Sequence, residues 1–228
     1  MVPLRRRFAA ELIGSFALVF AGTGAIIINQ VSGGAITHPG IAITFGLIVM
    51  AMIYAVGDVS GAHLNPAVTI GFWRARRFPG REVFPYIAAQ MIGATIASGV
   101  LRWLFGVVAQ LGATTPAGPP AQSFVLEVII TWLLMLVILH VSSGAKEKGI
   151  TAGIAIGAVV GLEAMFAGPI CGASMNPARS LAPAIVGGNL EHLWIYLAAP
   201  TLGALLAIPT CRSVQDAGCC CKPSATCP

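Results

Sequence analysis

The chain has 228 residues, of which 57% are hydrophobic and 9% charged, with a mean hydropathy of +0.86. A soluble domain carries about 25% charged residues, so this composition excludes an ordinary water-solvated globule and describes a chain solvated mainly by lipid. The net charge of +5 is not a nucleic-acid signature either, because the Arg and Lys residues sit in short connections between apolar stretches.

Crossing a bilayer takes about 20 mostly apolar residues. Six stretches meet that length, at roughly 8–28, 38–57, 84–108, 123–142, 150–167 and 193–211. The first holds one charge, Glu11, and is too long for the apolar core of a signal peptide. It also shows no cleavage pattern, so it is expected to be a retained span. Arg5, Arg6 and Arg7 precede span one, and Arg74, Arg76, Arg77 and Arg81 separate spans two and three. Lys146 and Lys148 separate four and five, and Arg212 and Lys222 follow six, whereas connections one–two and three–four hold no Lys or Arg. The positive-inside rule then places both termini in the cytoplasm. Thr114 to Pro120, rich in Pro and Gly, is expected to be an irregular connection between spans three and four.

Two apolar pieces remain, Pro66–Trp73 and Pro177–Val186, each about half a span long. Each follows Asn-Pro-Ala, as Asn65-Pro66-Ala67 and Asn176-Pro177-Ala178. Pro suits the first turn of a helix, where its missing N–H is no loss, and Asn suits the cap before it. Half-length segments at corresponding positions of two halves point to a midplane site between inverted repeats. Three spans per half is an odd number, so the second half enters the membrane upside down. The expected fold is an all-α membrane protein with six transmembrane helices plus two re-entrant half-helices, in two inverted three-helix repeats. The first repeat covers 1–118 with its half-helix at 66–73, and the second covers 119–214 with its half-helix at 177–186. Residues 215–228 form a Cys-rich cytoplasmic tail.

If the half-helices meet at the midplane, Asn65 and Asn176 each offer an amide donor to a solute oxygen, and each helix N-terminus adds roughly half a positive charge. A role as caps alone also accounts for both residues. Irregular backbone at membrane depth, however, is tolerated only where it is buried in protein or lines a cavity. Arg179 follows Asn176 by nearly one turn, and a full charge at that depth is a functional candidate. The matching position in the first half is Val68. Glu11 and Glu127 sit early in the first span of each half, either as proton-relay acids or, the better reading, as acceptors for backbone N–H groups of the non-helical connections. His63 is expected to brace the first of these connections, with pH gating as the alternative. Glu163 has no evident partner, and the options are the outer vestibule, a pairing with Arg102 or an oligomer contact. Gly153, Gly157 and Gly161 form a ladder of small residues suited to close helix packing in lipid.

The chain resembles the aquaporin (major intrinsic protein) family. The likeness rests on Ala10-Glu11-Leu12-Ile13-Gly14, Ser60-Gly61-Ala62-His63-Leu64-Asn65-Pro66-Ala67-Val68-Thr69, Ala89-Gln90-Met91-Ile92-Gly93-Ala94 and Asn176-Pro177-Ala178-Arg179-Ser180. Phe166 through Met175 resembles the nodulin-like branch, which is associated with glycerol and uncharged metalloid acids. The resemblance implies a selectivity filter of Phe45, Ala164, Ala173 and Arg179, and a homotetramer with one pore per subunit. Strictly water-selective members carry His at the position of Ala164, and its absence here removes a donor and opens volume.

The expected function is a passive channel for water and small uncharged solutes, with glycerol and metalloid hydroxides such as arsenite or boric acid included. Protons and ions are excluded, and no cofactor or nucleic-acid partner is expected. A strictly water-selective channel and an ion-coupled transporter are the alternatives, the latter needing a titratable group at the midplane where the motifs offer amides. A junction protein with a vestigial pore is a third class. No constellation for nucleophilic or metal catalysis stands out, so an enzyme is not expected. Cys219, Cys220, Cys221 and Cys227 crowd the tail in no standard zinc spacing. They are either incidental thiols or capture sites for a soft metal or trivalent arsenic.

Overall fold

The structure, a computed structural model, describes residues 2–142 and 146–214, the side chains of 146–149 excepted. The tail cysteines Cys219, Cys220, Cys221 and Cys227 lie outside the described residues. The elements are α1 (Leu4–Val31), α2 (Thr37–Ser60), α3 (Pro66–Arg74), α4 (Val83–Phe105), α5 (Pro120–Val141), α6 (Lys146–Cys171), α7 (Pro177–Gly187) and α8 (Leu193–Val214). Short 3₁₀ turns at Gly80–Glu82 and Ala109–Gly112 flank α4.

Six of these helices, α1, α2, α4 with its leading turn, α5, α6 and α8, are long and apolar enough to cross a membrane. The other two are not. With 9 and 11 residues, α3 and α7 are about 14 and 17 Å long, roughly half the thickness of the bilayer core. Both begin the same way, with an extended Asn cap followed by Pro. The Oδ1 of Asn65 accepts from Ala67 N at 2.9 Å, and that of Asn176 accepts from Ala178 N at 3.0 Å. The side chain thus satisfies N–H groups that a helix start leaves open.

The packing is two-fold. Helix α1 lies on α2 and α4, as α5 lies on α6 and α8, and α2 runs along α6 where the halves join. Each short helix packs most extensively on the last span of the other half, α3 on α8 and α7 on α4. The chain is therefore an all-α membrane protein of six spans and two re-entrant half-helices, arranged as two inverted three-helix repeats. Glycine permits the closest contacts in both halves. A Cβ on Gly93 would lie 2.2 Å from the Leu12 carbonyl oxygen, and one on Gly203 would lie 2.4 Å from that of Val128. The backbones of α4 and α1, and of α8 and α5, touch at those points, the small-residue packing that replaces hydrophobic drive in lipid. Large apolar groups face outward instead, Trp103 at 82% and Phe84 at 80% exposure, as suits a hydrocarbon solvent.

Two of the boundaries that differ from those read from hydropathy have a specific cause. Helix α4 stops at Phe105 although the apolar run continues to Val108, because Gly106 turns to φ 72° and its N–H closes on the Arg102 carbonyl. Helix α6 runs on through Pro169 to Cys171, since an internal Pro removes one rung of the ladder without ending the helix here.

Candidate functional site

The site grows from two loops that should not survive in a membrane. Residues 61–65 and 172–176 are non-helical at bilayer depth, where unpaired backbone groups cost several kcal/mol each. They share one backbone pattern. Gly61, Ala62 and Leu64 have φ of 88°, 46° and 52°, and Gly172, Ala173 and Met175 have 82°, 40° and 53°. Left-handed backbone at a residue with a side chain costs about 1–3 kcal/mol, so each loop needs external support.

One buried carboxylate supplies it in each half. The Oε1 of Glu11 accepts from Ser60 Oγ at 2.7 Å and His63 N at 2.9 Å, and Oε2 accepts from Leu64 N at 2.7 Å and Gln90 Nε2 at 2.8 Å. Glu127 does the same with fewer donors, taking Ser174 N at 2.7 Å and Met175 N at 2.9 Å. A carboxylate accepting from backbone N–H groups makes charge-assisted bonds roughly twice as strong as neutral ones.

The two loops then lock each other. The Nδ2 of Asn65 donates to the Met175 carbonyl at 2.7 Å, and the Nδ2 of Asn176 donates to the Leu64 carbonyl at 2.8 Å. Each amide nitrogen carries two hydrogens. One is committed across the two-fold, and the second is left for the cavity, to whose lining both asparagines belong. That cavity has a volume of about 140 Å³. At about 30 Å³ per liquid water it has room for a short file of waters.

Its wall is mostly apolar. Val49, Ile53, Leu134, Ile138, Ile156 and Val160 contribute hydrocarbon, while the asparagines and neighbouring loop residues supply polarity. At the end away from the chain termini the cavity is bounded by Phe45 of α2, Ala164 of α6, Ala173 of the second loop and Arg179 of α7. Arg179 is 3% exposed and donates through Nη1 to the Gly112 carbonyl at 2.6 Å. Its guanidinium carbon lies 5.0 Å from the centroid of the Phe45 ring, a cation–π distance. Among the described residues no carboxylate comes within ion-pair distance of it. The turn that presents the Gly112 carbonyl is itself left-handed at Gln110 and Leu111.

Several neighbours have no signature in the sequence. Gly112 acts through a backbone oxygen. The Thr114 hydroxyl donates to Ser180 Oγ at 2.7 Å, and Ser180 shares a hydrogen bond with Ser174, tying the α4–α5 connection to the second loop. Gln90 lies within a recognisable motif, yet its bonds to Glu11 and Thr69 could not be read from it. His63 lines the cavity near the first loop, with Nδ1 3.1 Å from Thr69 Oγ1 and its ring stacked 4.7 Å from that of Phe72. Glu163 is fully buried and neither of its carboxylate oxygens has a hydrogen-bond partner among the described residues. It does not pair with Arg102, whose Nη1 instead donates to the Val186 carbonyl at 2.6 Å, capping the end of α7.

Six spans, two half-helices meeting start to start, and a narrow cavity between them define a membrane channel of the hourglass type. The family model described as major intrinsic protein matches residues 1–209, and the chain belongs to that family. It is 52% identical over 205 residues to "Aquaporin NIP1-1" of Oryza sativa subsp. japonica, covering 90% of this chain and 72% of that protein. It is 47% identical over 205 residues to "Nodulin-26" of Glycine max, covering 90% of this chain and 76% of the other. These relatives put it in the nodulin-like branch. Among solved structures it matches the aquaglyceroporin from Plasmodium falciparum with a TM-score of 0.80 and 26% identity, over 93% of this chain and 97% of that one.

Proposed function

We propose that this chain is a passive channel for water and small uncharged solutes, including glycerol and neutral metalloid hydroxides such as arsenite or boric acid. The observation that carries this reading is the crossed pair of asparagines. Each donates one N–H to the opposite loop and has a second to offer from the same cavity wall. A solute oxygen at the centre accepts from both amides, so a water held there turns its hydrogens away from both and cannot relay a proton through that point. The two helix starts add together about one positive charge at the same place, which repels hydronium and cations, the logic of aquaporin-type pores.

Phe45, Ala164, Ala173 and Arg179 form the selectivity filter in this reading. Arg179 offers hydroxyl-bearing solutes its donors and opposes cations by charge. Phe45 and the two alanines give the carbon side of a polyol an apolar path, and Ala164 leaves a width that a larger side chain would close. Glu11, Glu127 and His63 hold the loops that carry the donors. The repeats meet near residue 118, both termini face the cytoplasm as the Arg and Lys distribution directs, and the chain assembles as a homotetramer with one pore per subunit.

Stopped-flow light scattering on proteoliposomes tests the reading with water, glycerol and arsenite side by side. Fast, weakly temperature-dependent, unsaturable flux of all three is expected. Flux that saturates and needs an ion gradient, or flux no faster than in protein-free liposomes, refutes it.

A further inference from the structure

Helix α6 carries Pro169 inside its last turns. Pro has no N–H, so the carbonyl four residues earlier, that of Met165, loses the donor the helical ladder would supply. A carbonyl without a donor at membrane depth is costly. Here the bond comes from a different helix. The Nε2 of His38, at the start of α2, lies 2.6 Å from the Met165 oxygen. A carbonyl only accepts, so Nε2 carries the hydrogen and donates it. The ring reaches that oxygen because residue 168 is Gly, where a Cβ would lie 2.9 Å from His38 Cε1.

The place of this bond gives it consequence. His38 precedes Phe45 by about two turns on α2, and Met165 follows Ala164 directly on α6. The bond therefore joins, at the end of the bundle away from the termini, two neighbouring helices that both line the cavity. Deeper in, α2 and α6 touch backbone to backbone, where a Cβ on Gly157 would lie 2.6 Å from the Gly46 carbonyl. Beyond that contact His38 supplies a side-chain hydrogen bond between them. Other partners hold the turn after it, with Ala117 N donating to the Ile170 carbonyl at 3.0 Å.

We propose that His38 is a positioning residue for the channel's solute size limit: by donating to the carbonyl that Pro169 frees, it holds the outer turn of α6 against α2 and fixes the gap between Ala164 and Phe45. This rests on the reading of those two residues as part of the filter. His38 acts through α6 and touches no solute.

The test is the ratio of glycerol to water permeability in proteoliposomes holding the full-length chain. A variant that merely folds less well lowers both fluxes together and leaves the ratio alone. His38→Ala and His38→Phe, the latter keeping a ring but no donor, are expected to raise the ratio about five-fold, the equilibrium weight of one net hydrogen bond. His38→Gln, which restores an N–H, is expected to return it to within about two-fold of wild type. Gly168→Ala displaces the imidazole, so it is expected to raise the ratio too, and to add nothing to His38→Ala in the double variant. A ratio unchanged in the Ala and Phe variants, or a Gln variant that behaves like Ala, overturns the proposal. Ala164→His, assayed in parallel, separates the two ideas. If it lowers the ratio while the His38 variants do not move it, the filter stands and the positioning role fails. If it leaves the ratio unchanged, the filter reading fails and takes this proposal with it.

Discussion

Removing the loop-holding carboxylates should hurt the two halves unequally. Both Glu11 and Glu127 receive two backbone N–H groups, and Glu11 also receives Ser60 Oγ and Gln90 Nε2. Truncation to Ala strands the two backbone donors in either case, at about 1.5–3 kcal/mol each for bonds to a charged acceptor, so about 3–6 kcal/mol in all. The lost side-chain volume is the same in both variants and cancels in the comparison. The two further donors on Glu11 come from side chains that can rotate toward other acceptors, and each contributes about 0.5–1.5 kcal/mol net. Glu11→Ala should therefore cost about 1–3 kcal/mol more than Glu127→Ala. Unfolding of each purified variant in mixed micelles, followed by loss of helical circular dichroism as the denaturing detergent fraction rises, measures the difference. If Glu127→Ala is the more damaging, or if both lie within about 1 kcal/mol of wild type, the account of how these loops are held is wrong.

Ala164→His narrows the cavity where a donor-bearing ring would project, and should cut glycerol permeability at least ~10-fold while water permeability stays within ~2-fold, the scale of a 1–3 kcal/mol steric clash; parallel stopped-flow traces check it. Arg179→Val removes a buried charge that makes no contact ion pair with a described carboxylate. At ~5 Å and an effective dielectric of ~20 that charge repels a monovalent cation by ~3 kcal/mol, so cation leak measured in planar bilayers should rise on the order of 100-fold. Gly93→Ala drives a methyl to 2.2 Å from the Leu12 carbonyl, whereas a Cβ on Gly99 meets nothing within 4 Å. The first should cost about 1–3 kcal/mol in micellar unfolding and the second should stay within about 1 kcal/mol of wild type.

The spans and the half-helices were open to reading because their signals are local. Hydropathy marks a lipid-solvated helix whatever it packs against, and Asn before Pro marks a helix start through the backbone of three residues. What escaped depends on distant groups. The end of α4 at Gly106 follows from a backbone turn inside an unbroken apolar run, which hydropathy averages over. The extension of α6 through Pro169 is tolerated because His38, far away in the chain, serves the freed carbonyl. Arg179 was conspicuous as a charge in an apolar setting, but its acceptor is the Gly112 main-chain oxygen, and a carbonyl leaves no trace in residue identity. A pairing of Arg102 with Glu163 was one of three options, because both sit near one end of their helices. Helical phase instead sends Arg102 to the end of α7 and turns Glu163 into the interior.

The crossed amide bonds bear on how the protein is made. Asn65 is oriented by a carbonyl on Met175, and α3 rests on α8. When the ribosome has delivered the first three spans, Glu11 already holds the first loop, but Asn65 lacks its Met175 acceptor, the Leu64 carbonyl lacks its Asn176 donor and α3 lacks its α8 floor. Completion comes only with the sixth span. A polypeptide cut between the halves should insert correctly yet stay nonconducting until its missing complement is co-expressed in the opposite topology.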